Sequence, residues 1–177
     1  MAKPLQESES IQDRKGYHRM KINFVISLRK SDRPISLTAF QGLPIGIENP
    51  KGSYRIWTNK KTGEQGSTFM HFPYGFIRLT GGSDGDSVDC YIGPNKNSRR
   101  VFVVHQQVPE TGIYDEDKCM LGFNSPQDAK FGYLIHYDDP KFFQSMDEWD
   151  IDDFADHIRK KDSRGKMIEG REKDRWI

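Results

Sequence analysis

The chain has 177 residues, enough for one domain with a real core, and its 27 basic and 26 acidic residues leave a net charge of +1. That balance excludes a global basic field for nucleic acid, and no apolar run approaches a membrane span. The opening Met-Ala-Lys-Pro-Leu-Gln-Glu-Ser-Glu lacks the apolar core of a signal peptide, so a cytoplasmic protein is expected.

Residues 1–19 are polar and aperiodic and read as a loose arm. Met20–Leu28 is rich in β-formers and predicts a strand, which the basic cluster Arg29–Pro34 breaks. Leu43–Glu48, Ser53–Thr58 and Ser67–Phe72 predict a meander, with turns at Asn49-Pro50-Lys51-Gly52 and Lys60–Gly66. Val88–Gly93, Arg100–Gln107 and Cys119–Phe123 predict three further strands. Cys90 and Cys119 lie inside apolar runs, without zinc spacing, and are expected as small buried hydrophobes. Ser125-Pro126-Gln127-Asp128 is a helix start, with a run to about Tyr137 and an apolar face of Phe131, Leu134 and Ile135. Ser145-Met146-Asp147-Glu148 reads as a second capping box, with Trp149, Ile151, Phe154 and Ile158 on the face behind it. Acid early and Arg159-Lys160-Lys161 late complement that helix's dipole. Residues 162–177 read as a charged tail.

The chemistry concentrates in Asp84-Gly85-Asp86-Ser87-Val88-Asp89, three carboxylates in six residues at the mouth of an apolar strand. Crowded carboxylates repel one another unless a cation sits among them, and Mg²⁺ takes a few protein oxygens and leaves other positions for water and phosphate. A second acidic cluster, Asp115-Glu116-Asp117, precedes Lys118 at the mouth of another strand. Two such mouths facing each other would form one pocket. The spacing does not suit an EF-hand loop, and no Ser-His-Asp or Cys-His arrangement suggests a covalent nucleophile.

Tyr74-Gly75-Phe76-Ile77, a Thr/Gly link and Asp84–Ile92 resemble the signature of the family I soluble inorganic pyrophosphatases, with Ser87 where that family has Pro or Glu. The likeness covers roughly residues 43–138. Residues 47–53, 84–89, 92–94 and 120–123 resemble still more closely the pyrophosphatase-like domain of bacteriophage and prophage proteins.

The resemblance implies Mg²⁺-dependent hydrolysis of pyrophosphate or a related phosphoanhydride. Asp84 and Asp89 would bind metal with Glu116, with Asp117 and Asp115 as further candidates from that cluster. Glu48 would lie in the outer shell or hold a further metal. Asp86 would accept the proton of the attacking water. Lys118, Arg55, Lys51 and Tyr137 would bind phosphate oxygens, and Tyr74 would orient the acidic loop. The family's lysine after the tyrosine is Asp138 here, its Lys-x-Glu pair falls around Ser53–Arg55, and its next arginine has no counterpart between Gly66 and Phe72. The basic half of the pocket is therefore thinner than the acidic half.

The implied fold is α+β: a small, curved, OB-like antiparallel barrel of five to six strands, flanked by two helices. The expected organisation is an arm (1–19), one pyrophosphatase-like domain (20–161) and a tail (162–177). The alternative expectation is a phage-associated structural or interaction protein that keeps the fold with little catalysis, in the host cytoplasm or in a virion. A homo-oligomer or a phage protein partner goes with either expectation.

Overall fold

The computed structural model describes residues 34–59, 62–170 and 175–177. The expected arm, the Met20–Leu28 strand and the basic cluster up to Arg33 lie outside the described residues. So do Lys60 and Lys61 of the second turn and residues 171–174 of the tail.

Ten strands and two helices make up the described chain. The strands are β1 (Ser36–Phe40), β2 (Leu43–Asn49), β3 (Tyr54–Thr58), β4 (Gln65–Phe69), β5 (Tyr74–Ile77), β6 (Asp89–Ile92), β7 (Arg100–Gln107), β8 (Tyr114–Leu121), β9 (Phe143–Asp150) and β10 (Arg175–Trp176). The helices are α1 (Pro126–Leu134) and α2 (Ile151–Arg159). Eight strands form one sheet in the order β1-β2-β5-β6-β8-β7-β9-β10, and β3-β4 is a separate antiparallel ribbon. The expected barrel of five to six strands is thus corrected to an open eight-stranded sheet. The expected all-antiparallel pairing fails at one place, because β6 and β8 run parallel, with Asp89 opposite Lys118.

Strand alternation gives the sheet two buried faces. One carries Leu43, Ile45, Ile47, Ile77, Cys90, Val101, Val103, Cys119 and Leu121, closed over by Ile151, Phe154 and Ile158 of α2. The other carries Tyr74, Tyr91, Phe102, Val104, Met120 and Met146, against Ala129 and Tyr133 of α1. Both cysteines are free and buried, as expected. Gly75 is required where β5 crosses β2: a Cβ there would stand 1.9 Å from the Gly46 carbonyl oxygen.

Helix α1 starts as expected, with Ser125 Oγ accepting from the Asp128 amide at 3.1 Å. Its buried face is rotated from the predicted one. Pro126, Ala129, Gly132 and Tyr133 are buried, while Phe131 is 64% exposed. Phe123 packs so closely on Gly132 that only glycine fits, and this fixes the face.

The second capping box is also corrected. Ser145–Glu148 lies in β9, paired with β7, and α2 starts at Ile151, with Asp150 Oδ1 accepting from the Asp152 amide at 2.8 Å. Asp147 is wholly buried and accepts hydrogen bonds from Gly170 N and, at 3.0 Å, from Arg175 Nε, so sheet contacts override the local helix signal. Ile168, in the stretch expected as tail, is buried with the α2-side core.

Candidate functional site

The acidic loop is built by short-range bonds between β5 and β6. Thr80 Oγ1 donates to the Ile77 carbonyl at 2.6 Å and accepts from the Val88 amide at 3.0 Å, which staples the base of the loop. At its tip Asp84 Oδ1 accepts from the Asp86 amide at 3.0 Å, and Gly82 N donates to the Asp86 carbonyl at 2.6 Å. Gly85 sits at φ +84°, a left-handed conformation that suits glycine. The loop therefore carries Asp84 exposed, Asp86 half-buried and Asp89 at the first position of β6.

The parallel β6–β8 pair sets Asp89 beside Lys118, and alternation turns Glu116 and Lys118 to the same side. A cleft of about 220 Å³ opens there, lined by Glu48, Arg55, Tyr74, Phe76, Asp84, Asp86, Ser87, Asp89, Glu116 and Lys118. Glu48 enters it where β2 shifts register against β5, an irregularity that re-aims a side chain.

Lys118 is the electrostatic centre. Its side chain is 2% exposed, and its ammonium donates to Asp89 Oδ2, to Glu116 Oε1 at 2.8 Å and to the Tyr74 hydroxyl at 3.4 Å. Tyr74 donates its own hydroxyl proton to Asp89 Oδ2. Burial alone would push the lysine down, but Asp89, Tyr74 and Glu116 outweigh it, so Lys118 is held well above its ordinary range and stays charged. Glu116 is raised, first by burial and then by Asp89, with Lys118 opposing. Arg55 reaches in from β3 with its guanidinium 4.6 Å from the centre of the Tyr74 ring. Burial opposes its charge, and the oxygens of Tyr74, Tyr91, Tyr137 and Asp89 more than restore it.

Eight of the twelve expected site residues line this one cleft: Asp84, Asp86, Asp89, Glu116, Glu48, Lys118, Arg55 and Tyr74. Four do not, and of these Asp115 is exposed, its Oδ2 accepting from Gln106 Nε2 at 2.9 Å. Asp117 points to the opposite face of β8, where its Oδ1 lies 2.7 Å from His105 Nδ1 and its Oδ2 accepts from the Ile168 amide at 2.8 Å. Strand alternation forces that separation from Glu116. Tyr137 is stacked on Tyr133 at 4.4 Å, behind the cleft wall, and Lys51 is exposed in the β2–β3 turn. Sequence reasoning passed over Gln106, which is buried and bonded to Glu116. Two polar residues, His105 and Gln106, ending the apolar run Val101–Val104 were the available signal.

The five cleft carboxylates offer hard oxygen donors of the kind Mg²⁺ takes. Among the described residues no three His, Cys, Asp or Glu side chains stand together at metal-ligand spacing. The Lys118 ammonium instead supplies the positive charge between Asp89 and Glu116. The donor set fits a divalent cation in its chemistry.

The family model described as Inorganic Pyrophosphatase matches residues 35–159. The chain belongs to the inorganic pyrophosphatase family. The match takes in every cleft residue and both helices of this pyrophosphatase-like domain. No curated protein matches the chain. Among the described residues no helix is long and apolar enough to cross a membrane.

Proposed function

We propose that the domain hydrolyses inorganic pyrophosphate, or a related phosphoanhydride, with Mg²⁺ as cofactor. One observation carries this reading: both acidic segments, the buried Lys118 and the half-buried Arg55 open onto a single cleft. Asp84, Asp89 and Glu116 would hold the metal, with Glu48 beside them. When bound, Mg²⁺ neutralises phosphate charge and lowers the pKa of a coordinated water. Asp86, carried on the loop tip, takes up the proton of the attacking water. Arg55 and Lys118 bind phosphate oxygens and stabilise the charge that develops on them. Tyr74 holds Asp89 and Lys118 in register through its hydroxyl.

The Asp84–Asp89 motif supports a place among the family I enzymes, and residues 47–53, 92–94 and 120–123 support a kinship with the phage and prophage domains. A bacterial cytoplasm, or a virion, follows from that kinship as the place of action. The thin basic half favours a second reading, a phage-associated module with little turnover, because among the described residues only Arg55 and Lys118 supply positive charge to the cleft.

Phosphate release from pyrophosphate with Mg²⁺ tests both readings. The wild type is expected to release phosphate only with the metal, and Asp86→Asn is expected to lower kcat about 10²- to 10⁴-fold. No release by the wild type overturns the enzyme reading for this substrate. Full activity in Asp86→Asn overturns the role of Asp86.

A further inference from the structure

The β7–β8 ladder slips between His105 and Gln107. His105 stands opposite Asp117 and Gln107 opposite Tyr114, so Gln106 alone faces both Asp115 and Glu116. Such a two-against-one step bends the strand and re-aims side chains. Without it, alternation would send the side chains of Asp115 and Glu116 to opposite faces. Here both reach one amide: Gln106 Nε2 donates to Asp115 Oδ2 at 2.9 Å and to Glu116 Oε1 at 3.1 Å.

The other end of that amide is also fixed. Gln106 Oε1 accepts the Tyr133 hydroxyl at 2.9 Å, a bond buried between α1 and β7. The orientation of the amide follows from chemistry, because its oxygen could not face two carboxylates. Gln106 is only 5% exposed, so water cannot readily take over its donors. An unbroken chain results, from Tyr133 to Gln106 to Glu116, and on through Lys118 to Asp89 and Tyr74.

We propose that Gln106 is a positioning residue for Glu116, and that Tyr133 on α1 acts through it by locking the direction of its amide. Gln106 touches neither metal nor substrate. It holds Glu116 in the cleft when the divalent cation competes with Lys118 for that carboxylate. The inference rests on the reading of Glu116 as a metal ligand.

Its test is Mg²⁺ binding, measured by calorimetry on the full chain for wild type, Gln106→Leu, Tyr133→Phe and the double variant, with Tm recorded for each. Gln106→Leu should weaken Mg²⁺ binding about 10- to 100-fold. Tyr133→Phe, which removes one oxygen, should weaken it about 2- to 10-fold. In the Gln106→Leu background the tyrosine change should add nothing, because its target is gone. Tyr133→Phe keeping its full separate effect in that background overturns the inference. So does a wild-type Kd in Gln106→Leu or, should that variant not fold, a wild-type Kd in Tyr133→Phe. A wild type that binds no Mg²⁺ overturns the functional reading instead, and the two failures are distinct.

Discussion

The two faces of the sheet are made from alternate residues of the same strands, yet their chemistry differs throughout. The α2 face is mostly aliphatic, and two of its carboxylates are locked away from solvent: Asp117 on His105 and the Ile168 amide, Asp147 on Gly170 and Arg175. The α1 face is rich in tyrosine, with Tyr74 against Tyr91 and Tyr133 against Tyr137, the Tyr74 hydroxyl donating to Asp89 and the Tyr133 hydroxyl to Gln106. Hydroxyl-bearing rings fill volume as phenylalanine does and still supply hydrogen bonds to buried charge. One strand, β8, serves both faces, with Glu116 and Lys118 on one side and Asp117 on the other. Stability and chemistry are thus separated by one step along a strand.

The sharpest way to break this division is on the α2 face. Phe154→Ala empties the centre of that core and should cost about 3–5 kcal/mol in urea unfolding, with turnover per folded molecule unchanged. Asp117→Ala strands a buried imidazole and a buried amide and should also cost about 3–5 kcal/mol by the same measurement.

His136 probes the α1 face through pH. Its ring stacks on Tyr91 at 4.7 Å, its Nε2 accepts from the His71 amide at 3.1 Å, and burial lowers its pKa from 6.5 to about 4. The folded value lies below the unfolded one, so the unfolded chain takes up the proton first. The contribution of His136 is complete above about 6.5 and drains away as pH falls to about 4. At roughly 1.4 kcal/mol per pKa unit, unfolding curves should show a loss of roughly 2–4 kcal/mol across that window that His136→Phe lacks. The smallest effect belongs to Tyr74→Phe, which removes one hydroxyl from Asp89 and Lys118 and should cost about 1–2 kcal/mol in the same assay.

Much of this was legible in the sequence, for stated physical reasons. The strand Arg100–Gln107 is read with its observed ends, because apolar β-formers and flanking turns agree there. The acidic loop stands out because three carboxylates fall within six residues, a composition that suits a solvated turn as well as a cation site. What stayed hidden depends on tertiary contacts. Local capping chemistry at Ser145–Glu148 competes with pairing to β7, and pairing wins. The β8 strand starts at Tyr114, through an acidic run of low strand propensity, because Lys118, Gln106 and His105 neutralise or bond its carboxylates. Asp117 could not be told from Glu116 without knowing which way the strand faces.

The amides of Ile168 and Gly170 have a consequence for how the protein is made. Asp117 waits for a partner 51 positions downstream, and Asp147 for one 23 positions downstream. A chain emerges from the ribosome N-terminus first, so every cleft residue is synthesised before the segment that satisfies the carboxylate behind Glu116. A nascent chain halted short of Ile168 would hold every cleft side chain and still lack the last bonds that let β8 bury its reverse side.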